Sequence, residues 1–270
     1  MLIEIIALVV LLIATFTDFR TREVPDTLSY IFIGAAAVVR LYYSITQQSW
    51  HPLLEGMLGF GAFFGFGWLL YKFNMWGGAD TKILGGMGAM FGLWIGNSFM
   101  LDFMINLLFA GAGYGIIFSI FIAFNKKVKF QRIRHAKEIA LASLILLIPG
   151  FFFNDFFLKT MYLVLVLVSF ASVYLVNFLT AVQNSMKRYV SPLKLTEGDW
   201  VVNDIRVQGR LICRKKDNGL SLKQIAQLNK LHRQGKINRV LIKEGIPFIP
   251  SFLIAYLVTW TLGNIILLFL

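Results

Sequence analysis

Residues 75–92 read MWGGADTKILGGMGAMFG, a short apolar segment crowded with glycine that has one carboxylate and one lysine near its start, Asp80 and Lys82. A charge at the rim of a membrane segment is costly, so such a residue is a candidate for function. From Gly88 onward, glycine recurs at every fourth position, a spacing that lets helix backbones approach closely in lipid. The preceding segment, 53–71, is equally rich in glycine. The stretch predicts a short helix in the middle of a membrane bundle.

The chain as a whole is too apolar for a soluble domain. Its 270 residues are 57% hydrophobic and 15% charged, and the mean hydropathy is +0.70. The apolar segments run over 1–17, 27–44, 53–71, 82–96, 99–124, 139–153, 157–182 and 247–270. The fourth and sixth segments are short for a bilayer span. We therefore predict a polytopic α-helical membrane protein with six to eight transmembrane helices.

Basic residues follow an alternating pattern along the chain. Of the 26 Lys and Arg residues, all except Arg40 and Lys159 lie in or directly flank the odd-numbered connections between these segments. Positive residues are retained in the cytoplasm, so the pattern predicts an external N-terminus and cytoplasmic odd connections. It also places Asp18, at the end of segment 1, at the same cytoplasmic boundary as Asp80. Arg40 lies late in segment 2 and is expected to snorkel to the interface.

The largest polar region spans residues 183–245. It combines strand-like alternation with a helical stretch whose start, Ser221 and Gln224, fits a capping box. We predict a small α+β cytoplasmic module there, between a membrane bundle at 1–182 that carries the aspartates and a C-terminal transmembrane helix at 246–270. Its excess of positive charge is expected to contact membrane lipid headgroups, and no nucleic acid is expected as a partner.

Two aspartates at one membrane level provide the groups that an aspartyl protease needs. One carboxylate accepts a proton from water, while the other, protonated, donates a hydrogen bond to the peptide carbonyl. Two carboxylates in close approach resist simultaneous ionisation. The small residues Gly77, Gly78 and Ala79 would let a substrate backbone come near Asp80. Lys82 is placed to bias the local charge or to contact lipid phosphate.

Two further acids lie in the connection between segments 1 and 2. Pro25 restricts this loop, and Asp26 is expected to cap the N-terminus of helix 2. The alternative interpretation is that Glu23 and Asp26 contact a basic segment of the substrate.

Metal chemistry has no support in the sequence. The single cysteine, Cys213, excludes an intramolecular disulfide and a multi-cysteine metal site. The histidines, His51, His135 and His232, show no spacing typical of metal ligands.

These motifs resemble the GxGD class of membrane aspartyl proteases, specifically the archaeal preflagellin and type IV prepilin peptidases. The resemblance rests on Asp18 with Pro25 after it, on the stretch GGADTK at 77–82 and on the glycine-rich helix that follows. The stretches EGD at 197–199 and GIPFIP at 245–250 resemble the C-terminal part of the archaeal branch. Ala79 stands where the GxGD pattern has its second glycine.

The resemblance implies a function and a site. It implies that Asp18 and Asp80 are catalytic, that no metal or organic cofactor is required, and that the substrates are archaellin or pilin-like precursors. Their short basic leader peptides would be removed at the cytoplasmic face of the cell membrane. Preflagellin is the expected substrate, and an archaeal type IV prepilin peptidase is the alternative.

Two rival classes deserve comparison with a protease. A proton- or cation-coupled transporter also uses intramembrane carboxylates, but it commonly places them near the bilayer midplane and shows internal repeats. Here both aspartates are predicted at one face, and the two halves show no clear repeat. A non-catalytic assembly component would leave the paired aspartates unexplained.

Overall fold

The computed structural model of the protein describes residues 2–94, 96, 98–129, 136–152, 154–207, 209–215 and 219–268. His135 lies outside these ranges, and so do Arg132 and Arg134, which belong to the alternating pattern of basic residues. Helices dominate the described chain. In order they are α1 Leu2–Thr21, α2 Asp26–Thr46, α3 His51–Lys72, α4 Gly78–Phe91, α5 Phe99–Asn125, α6 Ala136–Leu147, α7 Phe156–Ser185, α8 Leu222–Arg233 and α9 Ile249–Leu262.

The strands are short and lie in the polar region. They are β1 Lys187–Val190, β2 Trp200–Val201, β3 Ile205–Val207, β4 Arg210–Cys213 and β5 Val240–Lys243. Strand β5 lies between β1 and β2 in one sheet, and β3 pairs with β4 in another. Helix α8 begins with the predicted capping box, in which the Ser221 amide donates to Gln224 Oε1 at 2.9 Å and the Gln224 amide donates to Ser221 Oγ at 3.4 Å. The region therefore combines helix and sheet, as predicted.

The chain divides into two compact units. The first contains Met1–Phe118 and Tyr189–Leu270, and the second contains Ser119–Arg188. Within the first unit, one apolar core is formed by the helices and another by the strands and α8. Within the second unit, α6 and α7 pack together, and the Tyr162 hydroxyl donates to the Leu146 carbonyl oxygen at 2.6 Å.

Five helices of the described chain, namely α1, α2, α3, α5 and α7, are long and apolar enough to cross a bilayer. The apolar helices at Leu141–Gly150 and Ile249–Leu262 are shorter, and α4 has 14 residues. Each predicted apolar segment contains a helix. The protein is thus a mostly helical membrane protein with a small sheet region, and the number of helices that span the membrane stays a prediction.

Helix α4 lies against α3 and α2, and its residues from Ile83 to Phe91 are buried. Glycine makes this contact possible. A Cβ atom on Gly59 of α3 would overlap with the Gly88 carbonyl oxygen, and one on Gly88 would overlap with the Gly59 carbonyl oxygen. A Cβ on Gly86 would meet the Phe32 ring of α2. The predicted close approach of helix backbones at the glycine-rich segments is therefore confirmed.

The glycine pattern does not continue as a helical stripe past Phe91. Gly92 has a φ of +73°, and its amide donates to the Gly88 carbonyl oxygen at 2.8 Å, which ends the helix. Gly96 has a φ of +94° and has open space around its Cβ position. The expectation that the stripe extends through Gly92 and Gly96 is wrong, because residues with such positive φ leave the α-helical conformation.

Arg40 is buried, with 6% of its surface exposed. Its Nε donates to the carbonyl oxygens of Ala89 and Met90, at 3.2 and 3.1 Å, in the last turn of α4. Its Nη1 lies 2.9 Å from Glu55 Oε2. The expectation that Arg40 snorkels is wrong. The last carbonyls of a helix lack partners within the helix, and they bind the guanidinium inside the bundle instead.

Candidate active site

Asp18 lies in the last turn of α1 and is buried, with 7% of its surface exposed. Its Oδ2 accepts a hydrogen bond of 3.0 Å from the backbone N–H of Ile249, the first residue of α9. Towards the start of α1, the Tyr256 hydroxyl of α9 donates to the Glu4 carbonyl oxygen at 2.8 Å. The two helices therefore run antiparallel. The Asp18 carboxylate lies at the N-terminus of α9, where the unpaired amides and the helix dipole favour a negative charge.

Asp80 is the third residue of α4 and is half-buried. Its Oδ2 accepts a hydrogen bond of 2.9 Å from the backbone N–H of Gly77, the residue before the helix. A Cβ on Gly77 would lie 3.2 Å from that same oxygen, whereas a Cβ on Gly78 would have its nearest neighbour, Tyr71 Cε2, at 3.9 Å. The absence of a side chain at Gly77 therefore leaves room for the Asp80 carboxylate to bond to the N-terminus of α4. At Gly78, a side chain would not crowd its neighbours in this way.

The first turn of α4 is anchored on α3. The Thr81 hydroxyl, which is buried, donates to the Gly67 carbonyl oxygen at 3.1 Å. A Cβ on Gly67 would lie only 3.1 Å from Thr81 Cα, so glycine permits the close contact. Because Thr81 follows Asp80 directly, this anchor restricts the position of the carboxylate.

The structure places Asp18 and Asp80 near enough to interact electrostatically. The loop before α4 contributes to this arrangement through Trp76, whose ring centroid lies 5.6 Å from that of Phe248 and 5.5 Å from that of Phe252. Phe248 directly precedes α9, the helix that binds Asp18, and Phe252 lies in its first turn. The N-terminal end of α9 therefore contacts the surroundings of both carboxylates.

Lys82 and Asp26 form an ion pair beside the aspartates. Lys82 Nζ lies 2.6 Å from Asp26 Oδ1 and 5.0 Å from the centroid of the Tyr30 ring. Pro25 occupies the N-cap position of α2, and no side chain caps that helix. The predicted cap by Asp26 is wrong, because Asp26 is already the first helical residue and its carboxylate binds Lys82. Glu23 is exposed in the loop between α1 and α2.

Three contributors to this region were not found from the sequence: the Ile249 amide, the Trp76 ring and Tyr114 of α5. Tyr114 lies within electrostatic reach of Asp18. Its hydroxyl oxygen is buried, and it has no hydrogen-bond partner in the part of the chain that the structure describes. The C-terminal helix was predicted at 246–270, but the sequence did not show which carboxylate its N-terminus meets. Nothing in the apolar sequence of α5 distinguished Tyr114.

The described ranges contain no group of three or more His, Cys, Asp or Glu side chains placed to hold a metal ion.

Comparison with known proteins relates this geometry to a family. The model of the type IV leader peptidase family matches residues 5–125. The matched stretch is similar to this family. It extends from α1 to the end of α5, so it contains Asp18, Asp80 and Tyr114. The N-terminus of α9, which binds Asp18, lies outside it.

Two curated relatives match part of the chain. The preflagellin peptidase of Methanococcus voltae is 40% identical over 88 residues, which is 32% of this chain and 36% of that protein. The preflagellin peptidase of Methanococcus maripaludis (strain C6 / ATCC BAA-1332) is 36% identical over 81 residues, which is 30% of this chain and 34% of that protein. The chain thus spans about a third of the length of each relative in these matches. No solved structure matches the chain.

Proposed function

We propose that the protein is a membrane aspartyl endopeptidase that removes the short basic leader peptide from archaellin (preflagellin) precursors. The observation that supports this most directly is that Asp18 and Asp80 lie near enough to interact electrostatically, within the stretch that the type IV leader peptidase family model matches. The two relatives named preflagellin peptidase support the choice of substrate.

The proposed reaction needs one ionised and one protonated carboxyl group. The ionised carboxylate takes a proton from water as the water oxygen attacks the carbonyl carbon of the scissile peptide. The protonated carboxyl group transfers its proton to the carbonyl oxygen, which yields a tetrahedral diol. When the C–N bond breaks, the carboxyl group that took the proton from water gives it to the nitrogen. The other carboxylate takes a proton from a hydroxyl of the diol, so the dyad returns to its starting state. The two aspartates titrate as a pair, so the roles belong to the pair.

The surroundings of the dyad suit this chemistry. Asp18 meets the N-terminus of α9, and Asp80 meets that of α4. Each helix presents the positive end of its dipole to a carboxylate, which stabilises the ionised form. Two such helix ends oppose the tendency of apolar surroundings to neutralise both groups, so one negative charge is retained for catalysis.

The orientation in the membrane is part of the proposal. The alternation of basic connections supports six to eight spanning helices, an external N-terminus and an active site near the cytoplasmic face of the cell membrane. On this arrangement, residues 1–182 form the membrane bundle, 183–245 form the basic cytoplasmic module and 246–270 form the C-terminal transmembrane helix. The Lys and Arg residues of the module would then contact anionic lipid headgroups.

Glu23 and Asp26 are the proposed contacts for the basic leader. Glu23 is exposed just beyond the end of α1. The Asp26 side chain is 62% exposed even though it pairs with Lys82. Gly77, Gly78 and Ala79 would leave space for the substrate backbone beside Asp80.

Co-expression with a tagged preflagellin tests the proposed function. We expect the wild-type protein to produce the mobility shift of leader removal, and Asp18→Asn or Asp80→Asn to abolish it. A metal chelator is expected to have no effect. Undiminished processing by either variant would reject the dyad. Faster processing of a tagged archaeal pilin precursor than of preflagellin would identify the protein as a prepilin peptidase instead.

A further inference from the structure

Helix α5 packs along α9 in the antiparallel direction. At one end, the Asn106 side-chain amide donates to Thr259 Oγ1 at 2.9 Å and to the Gly263 carbonyl oxygen at 2.7 Å. At the other end, a Cβ on Gly111 would lie 3.2 Å from Phe248 Cζ, so α5 closely approaches the residue just before α9. Following α5 from Asn106 to Gly111 therefore leads to the end of α9 that holds the Asp18 carboxylate.

Tyr114 lies further along α5 in the same direction. It follows Gly111 by three residues, so it lies on nearly the same face of α5 and about 4.5 Å further along the helix axis. The Asp18 carboxylate lies beyond the first amide of α9 in the same direction, bound to the Ile249 N–H at 3.0 Å. This position near Asp18 is consistent with the electrostatic interaction between Tyr114 and the Asp18 carboxylate.

The hydroxyl of Tyr114 is unusual for a buried group. Its oxygen is shielded from solvent, and no residue of the described ranges bonds to it. Buried tyrosine hydroxyls usually have a partner, because an unpaired buried donor costs free energy. Tyr256 follows that rule, since its hydroxyl donates to the Glu4 carbonyl oxygen at 2.8 Å. Phenylalanine would fill the position of Tyr114 without the cost of an unpaired hydroxyl.

We propose that the Tyr114 hydroxyl is a third catalytic group, which donates a hydrogen bond to the carbonyl oxygen of the scissile peptide. The proposal rests on the proposed protease function. As water attacks, negative charge develops on that oxygen, and a second donor beside the protonated carboxyl group stabilises it. Its ring packs against that of Phe118 on the same helix, with the centroids 5.6 Å apart, and this contact restricts the ring. The bound substrate would supply a partner that no residue of the described ranges supplies.

The test is the full-length protein with a tagged preflagellin, comparing wild type, Tyr114→Phe and Tyr256→Phe. Tyr114→Phe removes one oxygen and keeps the ring. We expect kcat to fall by about 10²-fold with KM within about twofold of wild type, as for the loss of one oxyanion donor. Because no bond is lost in the free protein, its melting temperature should equal or exceed that of wild type.

Tyr256→Phe is the matched control. It removes a hydroxyl that is bonded, and Tyr256 lies two turns from Ile249, so we expect a lower melting temperature and an unchanged kcat. If Tyr114→Phe cleaves as fast as wild type, raises only KM, or unfolds at a temperature as low as that of Tyr256→Phe, the inference is wrong. If the wild-type protein itself leaves preflagellin uncleaved, the proposed protease function fails, and the role of Tyr114 fails with it.

Discussion

The two ends of helix α4 both have a charged side chain bonded to them, but they differ in the partners of that charge. At the C-terminal end, the Arg40 guanidinium donates to the carbonyl oxygens of Ala89 and Met90 and pairs with Glu55. At the N-terminal end, the Asp80 carboxylate accepts the Gly77 amide and lies within electrostatic reach of a second carboxylate, Asp18. The first end joins opposite charges, and the second brings like charges together.

This difference separates a structural charge from a reactive one. A buried cation with carbonyl and carboxylate partners is costly to break, because removal of one partner leaves an uncompensated buried charge. Two carboxylates in one apolar region destabilise each other when both are ionised, so the arrangement favours a shared proton. The Tyr114 hydroxyl, to which no residue of the described ranges bonds, lies at the same end as the aspartates. The N-terminal end of α4 thus adds an incompletely bonded hydroxyl to the two carboxylates, whereas the guanidinium at the C-terminal end has carbonyl and carboxylate partners.

The largest expected effect on activity comes from the aspartates. Asp18→Asn and Asp80→Asn should each lower the rate of leader removal by about 10⁴-fold or more, as for other residues that act as a catalytic unit. Each substitution also removes a like-charge repulsion, so the melting temperature in detergent should stay equal or rise. A marked fall in melting temperature together with retained cleavage would show that these carboxylates are structural. The contrast between a structural and a reactive end of α4 would then be wrong.

At the other end of α4, Arg40→Met should lower the free energy of unfolding by about 3 kcal/mol, because it leaves Glu55 and the last carbonyls of α4 without the guanidinium. The kcat of the folded fraction should remain within about threefold of wild type. Thermal unfolding and leader cleavage on the same preparation measure both quantities.

The double variant Arg40→Met with Glu55→Gln controls for the carboxylate that the single variant leaves behind. We expect it to regain part of the lost stability, since the amide that replaces the carboxylate carries no charge. Equal stability of the single and double variants would show that the pair contributes little and that the helix carbonyls are the main partners of Arg40.

Between the two ends of α4, where it contacts α3 closely, added side-chain volume should lower the stability of the protein. Gly59→Ala places a methyl group onto the Gly88 carbonyl oxygen and is expected to cost about 1–3 kcal/mol of stability, as for overpacked cores. Gly61→Ala, on the same helix with open space around its Cβ position, is expected to be neutral or to stabilise by about 0.5 kcal/mol. Equal melting temperatures for the two variants would contradict the close backbone contact.

The smallest expected effect concerns recognition of the leader. Glu23→Gln combined with Asp26→Asn should slow cleavage of a basic leader by a few-fold, because exposed charge pairs contribute less than about 1 kcal/mol each. The effect should shrink at high salt. A substrate with a neutralised leader is the control, and equal slowing of both substrates would remove these acids from the proposed binding site.

Much of the membrane fold could be predicted from one-dimensional patterns. Each apolar segment contains a helix, and the capping box at Ser221 and Gln224 starts α8, because both signals depend on residues close together in the chain. The contact at Gly59 and Gly88 could be anticipated, since only glycine permits backbones so close. Arg40 and Asp26 were misjudged because each binds a partner on α4, and the sequence does not show which helices meet.

The candidate site was likewise predicted only in part from the sequence. Asp18 and Asp80 were found from the sequence, because each is a charge at the end of an apolar segment and the basic connections indicate which end it is. Tyr114 and the Ile249 amide were not found. Hydrophobic periodicity shows which face of a helix is buried only when the other face is polar, and a helix in lipid is apolar on every face.

By itself, therefore, the sequence determined that the protein is helical and membrane-embedded, and which carboxylates lie at the ends of its apolar segments. The reason is that bilayer thickness and the rise of a helix convert hydropathy directly into length. Only the tertiary structure decided that α9 presents its N-terminus to Asp18 and that Arg40 binds the C-terminal end of α4. It also decided that the Tyr114 hydroxyl, to which no described residue bonds, lies within electrostatic reach of Asp18. Those contacts depend on the packing of helix faces, which the apolar composition of these helices leaves open.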